Sequence, residues 1–528
     1  VEVRSVQIRA TMFDTGRVSG VLLPVFSLRS RDDFGIGDFG AAEGWIRFLR
    51  SAGQRLWMVL PLLPTARGDV SPYATRSAFG LNPLFIHLES VPEYREAGGV
   101  STLSDEERWL FEEARAAHRV KYPSVIRVKW AALWTAFRRF EERGTDPGGR
   151  FEAYQRQSAV WLESYSLYAA LAEDQEQRPW WEWPRGVRER QPQALTAAAD
   201  RLANRVRFHA WLQFVAQEQW NAVRAVAREQ GVLLAGDEPF IIGQDSADTW
   251  ANPRHLRRDA RLGVPPDEFS DTGQDWGLPY FDFEAMEKDD WGWLRLRALH
   301  AAADYDLRRV DHAVGYFRQW IRDEKTPKGR FLPPDEALQQ RLGERIFRLF
   351  SEGSGIVAED LGVVPPFVRK TLAELQIPGY RVLRWEKDDR VYRNPHAFPE
   401  VSLVTTGTHD TETAREWWEA LDDAERAAAA QAWPEFEGLR PPPAQFTPEV
   451  HVRLLAACEH AASRLCVLPW QDVLGETERI NLPGSFGDAN WAYRISAPVE
   501  ELEGREDVRE AAARLRSLTQ AAGRLTGA

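Results

Sequence analysis

A (β/α)8 TIM barrel carrying large, mainly helical insertions is the fold class this sequence predicts, on three observations. Short apolar, β-branched runs bounded by Gly, Pro or Asp recur eight times, at residues 20–25, 56–60, 232–235, 307–310, 355–358, 380–383, 401–404 and 465–468. Longer amphipathic stretches separate them, which is the alternation of parallel βα units. The chain has 528 residues, enough for one closed barrel of eight strands and substantial insertions besides.

Taken in order, residues 1–19 read as an N-terminal extension and 20–528 as the barrel. Between the second and third runs, residues 89–200 are too long for a loop and rich in helix formers, so they read as a helical inserted subdomain. It carries Trp161, Trp180, Trp181 and Trp183, with Pro184 beside them. Beyond it, Phe208, Leu212 and Val215 recur at helical spacing, and Gly231 stands where a helix C-terminus needs a left-handed residue before the third strand. A second interruption, 417–464, contains the alanines 427–430 and the prolines 441–443 and reads as helices joined by a stiff linker.

Composition narrows the function. Net charge is −12, which argues against nucleic acid and against an anionic membrane surface as partners. No run of about 18 apolar residues occurs, and the first 17 residues lack the apolar centre of a signal peptide. Two cysteines, Cys458 and Cys466, form neither a disulfide framework nor a zinc site of four thiolates, and suit a reducing compartment. The expectation is a cytoplasmic protein. There are 22 tryptophans, most of them expected in the core. A flat ring also suits the apolar face of a pyranose, so a neutral sugar substrate fits both the charge and the aromatic content.

Active sites of such barrels lie at the C-terminal ends of the strands. Three strand ends carry acids: Arg309-Val310-Asp311-His312, Ala358-Glu359-Asp360 and Gly407-Thr408-His409-Asp410. Arg309 and Asp311 are spaced i, i+2, so both project to one face, and a guanidinium favours the charged form of a neighbouring carboxyl. Asp311 is therefore the candidate nucleophile. Glu359, brought near other carboxylates, is expected to hold its proton and serve as general acid. Asp410 is the third acid, suited to gripping sugar hydroxyls as the ring flattens toward an oxocarbenium ion. Singly, each segment also fits a helix cap or an ion pair. Asp311, His312, His409 and Asp410 together fit metal ligation by residue type, but adjacent strand residues point to opposite faces.

The sequence resembles the amylomaltases, the 4-α-glucanotransferases of glycoside hydrolase family 77. The likeness runs through Ser71-Pro72-Tyr73, Ser77-Ala78-Phe79, Asn82-Pro83-Leu84, Gly236-Asp237, Gly273-Gln274, Trp276-Gly277, the three acidic segments, Gln471-Asp472 and Asn490-Trp491. The resemblance implies a retaining transferase of α-1,4-glucans and maltooligosaccharides that needs no cofactor. In it, Asp311 would be the nucleophile, Glu359 the acid/base and Asp410 the transition-state stabiliser. It also implies that Tyr73, Asp237, Arg309, His312 and His409 surround the transferred sugar, while Gln274 and Trp276 sit on a loop near residues 265–277 that folds over the glucan. A hydrolase with the same catalytic residues and a noncatalytic glucan-binding protein are the alternatives. Glu238, Leu278-Pro279, Ala313-Val314 and Thr411 to Thr413 depart from the family pattern, and all are expected to line or neighbour the groove.

Overall fold

The computed structural model describes residues 16–66, 68–144, 146, 148–265, 273–323, 329–485 and 487–525. Most of the expected N-terminal extension therefore lies outside the described residues. Eight parallel strands close a barrel: β1 (Val18–Leu22), β2 (Leu56–Met58), β3 (Leu233–Glu238), β4 (Leu307–Val310), β5 (Gly355–Ala358), β6 (Gly379–Val382), β7 (Ser402–Thr405) and β8 (Leu465–Pro469). They follow one another around the barrel in chain order, with β8 pairing back to β1. All eight apolar runs read from the sequence are these strands. Their side chains are buried on both faces because helices cover the outside and side chains fill the inside, so they show continuous apolar runs with little alternation.

The punctuation is local chemistry. Asp38 accepts hydrogen bonds from Gly40 and Ala41 at the start of helix Phe39–Ser51. Gly231, at φ 64°, ends helix Ala203–Gln230 and turns the chain into β3. Between β2 and β3 run the helices Pro92–Ala97, Asp105–Ala116, Tyr122–Arg143, Arg150–Asp174, Pro192–Arg201 and Ala203–Gln230. Between β7 and β8 stand Ala414–Ala420, Asp423–Ala432 and Pro448–His460.

One element has no counterpart in the sequence reading. Strands Gln274–Phe281, Leu256–Val264, Gln319–Asp323 and Arg330–Leu332 form, in that order, a four-stranded antiparallel sheet built from the connections on either side of β4. Its apolar content is thin and mixed with Arg and Asp, so it lacks the signal that reveals the barrel strands. The tryptophans near Pro184 brace this sheet: Arg258, on the strand Leu256–Val264, lies 3.5 Å over the Trp181 ring and 5.0 Å over the Trp180 ring. Most other tryptophans are buried, and Trp45, Trp57, Trp211, Trp220 and Trp470 are among the fully buried core. Among the described residues no helix is long and apolar enough to cross a membrane.

Candidate active site

Register places the acids. Asp237 on β3 pairs with Arg309 on β4, and Val310 pairs with Ala358 on β5, so Asp311 and Glu359 follow neighbouring strands at the same height. Arg309 is the hub. Its Nη1 donates to Asp237 at 2.7 and 2.9 Å and to Asp311 Oδ1 at 2.9 Å, and its Nη2 stands 4.0 Å from Glu359 Oε2. The guanidinium lies over the Tyr380 ring at 5.7 Å and is buried; its carboxylate neighbours, Asp237 first, outweigh that burial and hold its proton more tightly than usual.

Asp311 is gripped on both oxygens: Arg309 holds Oδ1, and the Phe240 amide donates to Oδ2 at 3.3 Å. Glu359 accepts from the His312 amide at 2.8 Å and the Leu361 amide at 3.1 Å. Burial nevertheless pushes its carboxyl up to about 8; Arg309 opposes the rise and Asp311 adds to it. Asp410 goes the other way. Partial burial would raise it, but the His409 imidazole at 3.4 Å and the Asn481 amide at 2.7 Å bring it down to about 2. Two carboxyls at one mouth thus sit on opposite sides of neutrality.

The sugar-binding candidates gather around them. Tyr73 donates to Asp237 at 2.6 Å, and its ring stacks on His409 at 5.2 Å. His312, with φ 44°, presents its ring edge to Trp276 at 4.9 Å and to Phe240 at 5.3 Å, and burial lowers it to about 4, so it is a neutral imidazole at neutral pH. Trp276 donates to Gln274 at 3.1 Å. Both lie on the antiparallel strand Gln274–Phe281, which corrects the expectation of a free loop; residues 266–272 of that segment lie outside the described residues. His312 and His409 are engaged with different aromatic partners and do not join Asp311 and Asp410 in a group fit for a metal ion.

Several contributors were not read from the sequence. Asn481, far along the chain, is the direct partner of Asp410, and Trp491, at φ 57°, packs on both Tyr73 and His409 at 5.8 Å.

Glu238 corrects another expectation. Next to inward-facing Asp237, it points out of the barrel and pairs with the fully buried Arg308 at 2.6 Å and with Arg297 at 3.7 Å, so it does not line the groove. Arg297 also donates to the carbonyls of Pro239 and Phe240, the residue whose amide holds Asp311. Ala313 is likewise buried core, and Thr413 caps helix Ala414–Ala420 in a capping box with Glu416. Thr411 closes its own turn by accepting from the Thr408 amide at 3.0 Å. Replacing Glu238 by Leu strands two buried guanidinium groups and is expected to cost about 3–5 kcal/mol in denaturant unfolding.

The sequence model of the 4-alpha-glucanotransferases of glycoside hydrolase family 77 matches residues 23–500. The chain belongs to this family. A 4-alpha-glucanotransferase of Thermus thermophilus is 36% identical over 527 residues, covering 96% of this chain and 99% of its own. One from Synechocystis is 34% identical over 506 residues, covering 90% and 94%. Among solved structures, an amylomaltase from Streptococcus agalactiae in complex with acarbose superimposes with a TM-score of 0.81 at 24% identity, covering 96% of this chain and 99% of that one, which shows the shared fold. Family membership supports transfer over the hydrolase and binding-protein alternatives.

Proposed function

We propose that this 4-alpha-glucanotransferase cleaves α-1,4-glucans and passes the glucanosyl unit to glucose or a maltooligosaccharide with retention. The Asp311 carboxylate attacks C1 of the donor and forms a glycosyl ester while the proton of Glu359 goes to the departing glycosidic oxygen. The acceptor hydroxyl then attacks C1, Glu359 takes its proton, and Asp311 leaves as the carboxylate. Asp410, held ionised, grips sugar hydroxyls and faces the positive charge of the transition state. Tyr73, Asp237, Arg309, His312 and His409 orient the transferred ring. Gln274 and Trp276 cover it and limit water at the ester, which favours a sugar acceptor.

The observation that carries this reading is the gathering of three carboxyls at one barrel mouth: Asp311 held on both oxygens, Glu359 beside it against Arg309, and Asp410 gripped by Asn481. Two buried, unpaired cysteines support a cytoplasmic location. Maltotriose tests the reading: glucose and a ladder of longer oligomers are expected, with the total of reducing ends constant. A rise in reducing ends equal to the bonds broken, without longer oligomers, would sink it. Replacing Trp276 by Ala is expected to increase the hydrolytic share in the same assay.

A further inference from the structure

Away from the mouth, three side chains from separate segments converge. His396 lies in the turn Pro395–Ala397 between β6 and β7, Glu435 in the turn Pro434–Phe436, and His460 ends helix Pro448–His460 just before β8. Glu435 Oε1 stands 2.7 Å from His396 Nε2 and 3.2 Å from His460 Nδ1, and the candidate ligand atoms all fall within 4.8 Å of one another. The two imidazole planes are 88° apart with centroids at 6.3 Å, so both nitrogens aim at the same carboxylate from different directions.

Two features go beyond a pair of hydrogen bonds. The Glu435 side chain is only 7% exposed, and its second oxygen, Oε2, is buried with no hydrogen-bond partner among the described residues, which is costly for a carboxylate. Arg453 meets the Glu435 residue through its main-chain carbonyl while its own charge is taken by Glu449 at 2.8 Å, so its guanidinium does not pair with the carboxylate, which faces the two imidazoles. We propose that His396, Glu435 and His460 form a binding site for a divalent transition-metal ion of the zinc class.

The donor set, two imidazoles and a carboxylate, suits that class. Bonds of about 2.0–2.1 Å in tetrahedral geometry place ligand atoms roughly 3.3 Å apart; Glu435 Oε1 stands at 2.7 and 3.2 Å from the two imidazole nitrogens, which lie no more than 4.8 Å from each other and would close onto the ion. Neutral imidazoles need only move their proton to the other ring nitrogen, and the rings, 44% and 33% exposed, can present it to solvent. That exposure also leaves a coordination position for water. The ion would clip the middle and the C-terminal end of the β7–β8 insertion to the β6–β7 connection, where the Ala462 amide already donates to the Pro395 carbonyl at 3.0 Å. The site is structural and separate from glycosyl transfer.

Titration of the chelator-washed full chain with Zn²⁺ tests this. One saturable site per chain is expected, lost in His396→Ala and His460→Ala while both variants keep maltotriose disproportionation. Zn²⁺ should raise the melting temperature of the wild type and of neither variant. Co²⁺-loaded wild type should show two paramagnetically shifted, exchangeable imidazole N–H resonances that Zn²⁺ displaces. Absence of a saturable site, a site unchanged in either variant, or fewer than two such resonances overturns the proposal.

Discussion

Asp311→Asn is expected to lower the turnover of maltotriose by roughly 10⁴-fold or more, equivalent to about 5.5 kcal/mol of barrier, with the fold intact. An amide in that position cannot form the glycosyl ester, so the first step loses its covalent route altogether. The surroundings remain ordered because Arg309 keeps its two hydrogen bonds to Asp237, and Asp237 keeps the Tyr73 hydroxyl. The carbonyl of Asn can still accept from Arg309, while its amino group meets the Phe240 amide, a modest local mismatch between donors. Thermal unfolding of the variant should therefore stay close to the wild type, and glucose release from maltotriose should fall to background. A variant that folds normally and keeps more than a hundredth of the wild-type rate would remove Asp311 from its proposed role.

Why these acids were legible while their supports were not is a matter of range. A barrel strand buried on both faces is a run of apolar, β-branched residues, and its C-terminal neighbours fall at the mouth whatever the rest of the chain does. Asp311, Glu359 and Asp410 needed only that rule. Asn481 needed the fold: it lies 71 residues from Asp410, in a segment with no periodicity, and the pairing of β7 with β8 across the long insertion brings them to 2.7 Å. Trp491 is similar, since its packing on Tyr73 and His409 joins opposite ends of the sequence.

Glu238 is a different lesson, because strand alternation carried the answer. With Asp237 aimed at Arg309 inside the barrel, its neighbour had to face outward, where Arg308 does the same from β4. The antiparallel sheet beside the mouth was hidden for a compositional reason. Leu256–Val264 places Ala260 and Leu262 in the interior, but arginines and an aspartate surround them, and pairing with Gln319–Asp323 supplies the order that propensity does not.

Glu359→Gln is expected to reduce transfer from maltooligosaccharides by about 10²–10⁴-fold, the usual worth of a positioned proton donor, and to flatten the pH profile. In the wild type, Glu359 must be protonated to release the glycosidic oxygen, so activity should fall as pH rises through about 8. Once Asp311 has become a neutral ester, one of the charges that raises Glu359 is gone, and the same carboxyl can hold its anionic form and take the acceptor's proton. A donor with a fluoride leaving group, which departs without a proton, should be used by the variant with a far smaller loss in the first step. Folding responds with the opposite sign to an ordinary carboxylate. The ordinary value of this group is 4.5, so the folded protein binds its proton more tightly than the unfolded chain. That contribution is fully present below the ordinary value and is lost as pH rises through about 8. Between pH 6 and pH 9 the wild type should lose on the order of 2–3 kcal/mol of stability that the glutamine variant keeps, measurable by denaturant unfolding at the two pH values. Parallel pH profiles for the two proteins, in activity and in stability, would separate Glu359 from proton transfer and return the role to another group at the mouth.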